Sequence, residues 1–600
     1  LMDFRMQRRT AGLFLDIFKQ KQQVAKIKFK PQKARYRRST VKREFRLSRS
    51  TPEREGISSG HLTQFLREAQ VHPTINPHTI LVLRNGKIIS ECSYAPYRSD
   101  VWHVTHSMCK GITALAIGML ADAGKLSLDE KLCDIFPGKL TPLGNPLAFR
   151  RFKTITIRHL LTMSSGVNFN EAGAVTTEDW IKEFFESGVR FDPGTEFAYN
   201  SMNTYMLSAV VKERAGMGLM QFLRPRLFVP LGIERVHWET CPRGIEKGGW
   251  GLYLCPEDMA KIGQLMLQKG IWENRRLISS QFIDEMTSKK IDTPPEMGEQ
   301  GYGYQTWMGK RPGSYLFNGI LGQNIIVMPD VSMVIVTTGG NDCLFKTSTI
   351  ISLVEKYFAS DSFSPPGAIP PDKKSLAELR NFEAAAYNLN GMFHEEKRGF
   401  FPSLGRSSAL PQECVLLDGK TYEVTPCGAR LLPLFTQLLQ NNYTTCIDML
   451  SFSIRENRFF LTVGEGTEKN RIELSFGGEP ACSNITVNHE PYLVAASARF
   501  ARDEDGNTVL KVLLPFLENS NGRKIKIFFF RDGSIELRLA EIPDFESLLG
   551  DTGFLDNKNV ASWLTKLVAK NDGDIFEYTV RRAVEPRVRG KKREPAGKTG

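Results

Sequence analysis

The hydrophobic positions of this chain fall into two textures. In the first, residues 79–92 place two apolar runs on either side of Asn85-Gly86, which predicts a β-hairpin. Residues 112–120 form an unbroken small and apolar run that reads as a buried helix. Phe136-Pro137 marks a turn and a short helix. Residues 155–166 enter another helix, capped near Thr156 and ended by Gly166. Helices are also predicted over 178–187, over 203–215 with Gly216 as the stop, and over 256–270, opened by Pro256. Strand signals return over 314–328 and 331–338, an apolar hairpin around Pro329-Asp330, and a helix over about 344–358 follows. Strands flanking a helical middle give an α+β class with one antiparallel sheet.

The second texture begins after a Pro- and Ser-rich stretch at 360–373. Segments 447–454, 458–463, 471–475, 492–499, 508–517, 524–530 and 534–539 alternate or run apolar. Turns such as Asp505-Gly506, Asn521-Gly522 and Asp532-Gly533 separate them. This predicts an all-β sandwich or barrel of about 150 residues, with no chemistry-bearing motif and no internal repeat. The expected organisation is a basic, unstructured tail over 1–50, a catalytic domain over 51–359, a linker over 360–385, an antiparallel β accessory domain over 386–545, and a C-terminal helix with a basic tail over 546–600.

Charge adds one correction to this outline. The net charge of +13 points to nucleic acid or anionic membrane, yet it sits in the tails. Residues 1–50 carry 16 Lys/Arg against 3 Asp/Glu and residues 581–600 carry 8 against 2, which leaves 55 against 61 between them. The body is mildly acidic, and the tails alone are candidates for contact with anionic polymers or a membrane surface. No apolar stretch reaches the length of a transmembrane helix. Residues 8–18 fail as an export signal because Asp16 interrupts a short apolar run. The expected location is cytoplasmic, or extracytoplasmic if sequence precedes Leu1. Ten scattered cysteines fit free thiols in a reducing compartment. No His-Glu-x-x-His or Ca²⁺-loop spacing occurs, so neither metal nor cofactor is expected.

The candidate chemistry starts at Ser107 and Lys110. Positions i and i+3 share a helix face, so the amine can sit over the hydroxyl. A serine needs a base to become a nucleophile, and a lysine serves once burial or a helix N-terminus lowers its pKa from about 10.4. A second Ser-x-x-Lys, Ser39 to Lys42, lies in a stretch that reads as unstructured, so downstream features decide. Tyr199, just after Asp192-Pro193-Gly194, reads either as a phenol presented to the lysine or as a packed ring bonding a carbonyl. Gly319 and Gly322 in the late strand read either as a bulge or as room for close approach. In the second case a strand N–H is half of an oxyanion hole, with the Ser107 N–H as the other half. The glycine-rich stretch 247–260 says only that a loop enters a capped helix. Gly419-Lys420-Thr421 lacks the earlier glycine of a phosphate loop, Lys598-Thr599-Gly600 has no strand after it, and no Gly-x-Ser-x-Gly elbow exists.

Taken in order, Ser107-Met-Cys-Lys110, residues 157–166, Tyr199-Asn-Ser201, residues 248–258 and residues 319–329 resemble the serine β-lactamase and penicillin-binding-protein superfamily over roughly 52–345. The likeness is to its class C-like esterase and amidase branch, which includes 6-aminohexanoate-dimer hydrolase. The resemblance implies a β-lactamase/transpeptidase-like fold, an antiparallel sheet flanked by helices plus a helical subdomain, followed here by the all-β domain. It implies an acyl-enzyme route in which Ser107 attacks, Lys110 and Tyr199 move protons, and the N–H groups of Ser107 and Ile320 hold the oxyanion. Gly319, Gly322, Ser201 and Phe317 would line the substrate. Two departures stand out. Ser201 occupies a position where the superfamily often has Asn, and Phe317 one where it commonly has Lys or His. Without that cation a neutral ester or amide is the expected substrate. A β-lactamase or D-Ala-D-Ala carboxypeptidase is the narrower alternative, and an idle binding or scaffold protein on the same fold the other.

Overall fold

The structure, a computed structural model, describes residues 2–24, 27–37, 45–140, 146–298, 300–341, 349–360, 362–390, 393, 410–543 and 581–593. The chain divides into two compact units: residues 1–10 with 37–386, and residues 11–36 with 387–600.

In the first unit a seven-stranded sheet runs in the order Ser48–Arg49, Lys87–Ser93, Pro77–Arg84, Met333–Gly339, Gln323–Met328, Tyr315–Gly319, Trp307–Met308. All pairs are antiparallel except the first. The Pro77–Arg84 strand is buried at all eight positions because helices cover both faces of the sheet. Leu81 and Leu83 face one core with the Cys109–Asp122 helix, while Ile80 and Val82 face the other with the Ser59–Val71 helix. The Cys109–Asp122 helix has twelve buried residues in succession, so its apolar run has no polar stripe.

Several elements differ from the sequence reading. The stretch 314–328 is not one strand. It folds as two, Tyr315–Gly319 and Gln323–Met328, around a turn at Ile320–Gly322 where Leu321 adopts a φ of 64°. The helix capped by Thr156 ends at Leu161, before Gly166, and Met163 takes a φ of 56°. The supposed linker contains a helix, Lys373–Ala385, with Leu379 fully buried. Met2–Phe18 is helical rather than unstructured, and Arg9 pairs with Glu183 at 2.7 Å.

The second unit is a ten-stranded antiparallel sheet. All seven sequence-predicted segments are strands, joined by Thr421–Val424, Ala481–Val487 and Arg587–Lys592. Its two edge strands approach a closed barrel. Asn470 on one donates to Thr486 O (2.7 Å) on the other and accepts from Thr486 N (2.8 Å). The Arg587–Lys592 strand corrects the reading of the C-terminal stretch as basic tail only. It lies between Thr421–Val424 and Ser534–Ile542, with Val588 in the core. Of the helix expected within 546–600, residues 581–584 are helical, and 544–580 lie outside the described residues. Lys33 of the basic N-terminal stretch is likewise no solvated charge. Its ammonium pairs with Glu518 at 2.8 Å, with both side chains at most 2% exposed.

This unit also buries Glu465. One carboxylate oxygen accepts from Leu431 N (2.7 Å) and Thr444 Oγ1 (3.3 Å), and the other is buried with no partner among the described residues. Burial pushes the carboxyl up to about 7. The folded form therefore binds a proton more tightly than the unfolded form, whose carboxyl titrates near about 4.3. Stability falls as pH rises through that window, by about 4 kcal/mol at most. The melting transition of the β unit is expected to drop between pH 5 and pH 8, and Glu465→Gln to flatten that dependence. Calorimetry of the full chain at several pH values measures both.

Candidate active site

The sheet and the helix meet at Ser107. It sits half-buried in a 3₁₀ turn, His106–Met108, which runs directly into the Cys109–Asp122 helix. His106 holds a φ of 46°, a region costly for a non-glycine residue, and so the turn is tighter than a plain helix start. Lys110 is 2% exposed and its Nζ donates to Ser107 Oγ at 2.8 Å. A second bond from Nζ, to Gly249 O at 2.8 Å, fixes the amine between the helix and a loop 139 residues later in the chain.

That loop is wedged in place by small residues. A Cβ on Gly249 would lie 2.9 Å from Ser201 O and 3.0 Å from Ser201 Cβ, so only glycine brings its carbonyl this deep. Ser201 starts the Ser201–Ala215 helix, is 4% exposed, and donates its N–H to Glu171 Oε1 at 2.9 Å. It supports the loop from beneath. Gly248 O accepts from Thr113 Oγ1 (2.8 Å) and from the Cys109 thiol (3.2 Å). Burial pushes that thiol up to about 12, which removes Cys109 as a competing nucleophile. His106 is held down to about 3 by burial, with His103 and Lys110 adding to the effect, and stays neutral beside the lysine.

Tyr199 presents its ring rather than its hydroxyl to the amine. Lys110 Nζ lies 4.9 Å from the ring centroid, and the phenol makes no hydrogen bond among the described residues. The ring stacks on Trp307 at 5.8 Å, and Phe197 and Tyr302 pack on the same indole at 5.8 and 4.9 Å. These four rings form an aromatic wall beside the Ser107–Lys110 pair.

The late strand closes the other side. A Cβ on Gly319 would lie 2.4 Å from Thr105 O and 3.0 Å from Met108 N, so the strand end presses against the Ser107 turn. Ile320 follows, half-buried, in the Ile320–Gly322 turn. Gln323 clamps that turn, donating to Ile320 O (3.1 Å) and Gly339 O (2.9 Å) and accepting from Gly339 N (3.1 Å). Gly322 packs on Asn341 and accepts from Thr337 Oγ1 at 2.8 Å, with a φ of 96° that shapes the turn. Phe317 is 2% exposed. Its ring packs where a Cβ on Gly111 would come within 2.7 Å, so it fills the space behind the lysine helix and brings no cation.

The structure thus brings Ser107, Lys110, Tyr199, Ser201 and Gly319 to one place, with Ile320 next in chain, and sets Gly322 and the Phe317 ring back into the packing. Trp307, Tyr302 and Glu171 belong to none of the sequence motifs, and Gly249 lies within the glycine-rich stretch whose role the sequence leaves open. The glycine pair at 248–249 was the one available signal. Ser39 to Lys42 and Lys598-Thr599-Gly600 lie outside the described residues. Among the described residues no group of three or more His, Cys, Asp or Glu could hold a metal ion, and no helix is long and apolar enough to cross a membrane.

The β-lactamase family model matches residues 69–339. The chain is 26% identical over 285 residues to a 6-aminohexanoate-dimer hydrolase of Paenarthrobacter ureafaciens, an alignment covering 43% of this chain and 70% of that protein. It is 24% identical over 284 residues to the putative penicillin-binding protein PbpX of Bacillus subtilis, covering 41% and 66%. The chain therefore spans just under two thirds of the second relative's length. Among solved structures, a putative 6-aminohexanoate-dimer hydrolase from Bacillus anthracis aligns with a TM-score of 0.43 and 18% identity, over 55% of this chain and 89% of that one.

Proposed function

We propose that the chain, whose residues 69–339 match the β-lactamase family model, is a serine hydrolase that cleaves a small neutral ester or amide through an acyl-enzyme. The observation that carries this reading is the 2.8 Å approach of a buried lysine amine to the Ser107 hydroxyl. With Lys110 neutral, the same separation lets Ser107 Oγ–H donate to Nζ, while Gly249 O keeps one amine hydrogen and points the lone pair at the serine. Oγ then attacks the substrate carbonyl. The N–H groups of Ser107 and Ile320, on two backbones that touch at Gly319, stabilise the oxyanion. The proton passes from Lys110 to the leaving group, with Tyr199 alongside the lysine. Water repeats the sequence on the acyl-enzyme and releases the acid.

Substrate charge follows from Phe317 and the aromatic wall. In the family resemblance Phe317 takes the position of a carboxylate-binding cation, its own ring is uncharged and buried in the packing, and Trp307 with its neighbours offers apolar contact. A neutral, partly apolar acyl or leaving group fits both features. The relatives named as penicillin-binding proteins favour a second reading, β-lactam or D-peptide acylation.

One experiment tests the proposal on the unaltered protein. A fluorophosphonate probe is expected to form one adduct, mapped by peptide mass spectrometry to Ser107, and esters or amides to protect against it. An adduct elsewhere, or none, overturns the reading. Nitrocefin turnover or a lasting penicillin adduct at Ser107, without ester turnover, replaces it by the second.

A further inference from the structure

Tyr199 and Trp307 come from distant parts of the chain, yet their rings stack at 5.8 Å with 25° between the planes. One side chain joins the segments that carry them. Gln305, two residues before Trp307, is 2% exposed and uses both ends of its amide. Its Nε2 donates to Leu160 O (2.9 Å) and Leu161 O (3.0 Å), and its Oε1 accepts from Thr204 Oγ1 (2.6 Å). The Gln305 backbone N–H also donates to Leu161 O, at 2.9 Å.

Each partner leads back to Tyr199. Thr204, fully buried, lies in the Ser201–Ala215 helix, which starts two residues after Tyr199. Leu160 and Leu161 end the Ile157–Leu161 helix, and Met163 just beyond accepts from Ala198 N at 2.8 Å. The last carbonyls of a helix have no partner within it, so this helix end needs the donors that Gln305 supplies. Gln305 does so from a φ of 56°, a costly region for a residue with a side chain, and its bonds to two other segments hold it there. The loop that carries Trp307 is thereby pinned to both anchors of Tyr199. Phe197, Tyr199 and Trp307 are each half-buried, so the wall keeps exposed apolar surface beside the Lys110 amine, which lies 4.9 Å from the Tyr199 ring.

We propose that Gln305 is a positioning residue that, by holding Trp307 against Tyr199, makes the site prefer esters with a bulky apolar leaving group to those with a small one. The inference rests on the serine-hydrolase reading, in which Lys110 passes its proton to the leaving group with Tyr199 alongside, so the wall borders that group. Freeing the loop lets the indole leave the Tyr199 ring and removes apolar contact with the leaving group. The Ser107–Lys110 pair is fixed separately, through Gly249 O, and keeps its geometry. A residue that served stability alone would weaken every substrate equally.

The test measures kcat and KM of the full chain for ethyl acetate and 2-(2-naphthyl)ethyl acetate. Both pass through the same acetyl-enzyme, so the ratio of their kcat/KM values reports only binding and acylation. The wild type is expected to favour the naphthylethyl ester by at least about tenfold, and Trp307→Ala to abolish that preference. Gln305→Met, which keeps the length of the side chain, is expected to cut the ratio at least about fivefold through KM of the naphthylethyl ester, with ethyl acetate changed less than about twofold. Thr204→Val removes one bond without changing shape and is expected to cut the ratio by about threefold, and by less in the Gln305→Met background. It carries the test alone if Gln305→Met does not fold. Equal losses on both esters in the Gln305 and Thr204 variants overturn the proposal, as does an unchanged ratio in them or in Trp307→Ala, or a wild type that does not favour the larger ester. A wild type that turns over neither ester overturns the serine-hydrolase reading and this inference with it, whereas turnover with any of the preceding outcomes overturns the inference alone.

Discussion

Ser107→Ala is expected to lower ester hydrolysis by at least about 10,000-fold and to abolish the fluorophosphonate adduct. The size of the effect follows from what one oxygen does in the proposed cycle. It forms the covalent bond to the acyl group, and no other side chain near Lys110 can replace it. The Cys109 thiol is two residues away, but it donates to Gly248 O and burial holds it protonated. The fold should barely notice the change. Ser107 is half-buried, its Oγ receives a bond from Lys110 alone among the described residues, and Lys110 keeps Gly249 O as partner when the hydroxyl is gone. Activity and melting temperature therefore separate. A variant that melts with the wild type and still turns over ester at more than a hundredth of its rate would remove Ser107 from the chemistry.

What the sequence revealed was mostly local. Ser107 and Lys110 are neighbours because they are one helical turn apart, and that is legible from spacing. The hairpin at Asn85-Gly86 and the β segments after 447 announced themselves through turn residues and alternation. The Lys110–Gly249 bond was not legible, because it joins residues 139 positions apart and depends on two glycines fitting against Ser201. The split of 314–328 into two strands was hidden because Leu321, a residue type that does not mark turns, takes a left-handed position ahead of Gly322. The Arg587–Lys592 strand looked like tail because four of its six side chains are charged and only Val588 and Gly590 face inward. The Lys373–Ala385 helix was masked by the prolines before it, and its packing depends on one residue, Leu379. The aromatic wall gave no signal at all. Trp307 joins Tyr199 through the pairing of its short strand with Tyr315–Gly319, a tertiary fact.

Lys110 offers the sharper test of mechanism, since a lysine beside a nucleophile can act as a base or merely as a positive charge. Lys110→Met is expected to reduce kcat by about a thousandfold, with KM changed little. Methionine keeps the length and apolar stem, so it fits a site that is 2% exposed. It leaves Gly249 O without its donor, a loss of about 1–3 kcal/mol in stability. Lys110→Arg separates the two roles. A guanidinium keeps the charge and can still donate to Gly249 O, but it does not give up its proton at any working pH. If Lys110 is the base, arginine fails as badly as methionine, and the defect lies in acylation, visible as slow fluorophosphonate labelling. If the lysine supplies only charge, arginine restores most of the rate. An arginine variant within about tenfold of the wild type would therefore exclude proton transfer by Lys110. It would leave Tyr199, whose ring already lies against the amine, as the group to carry the proton.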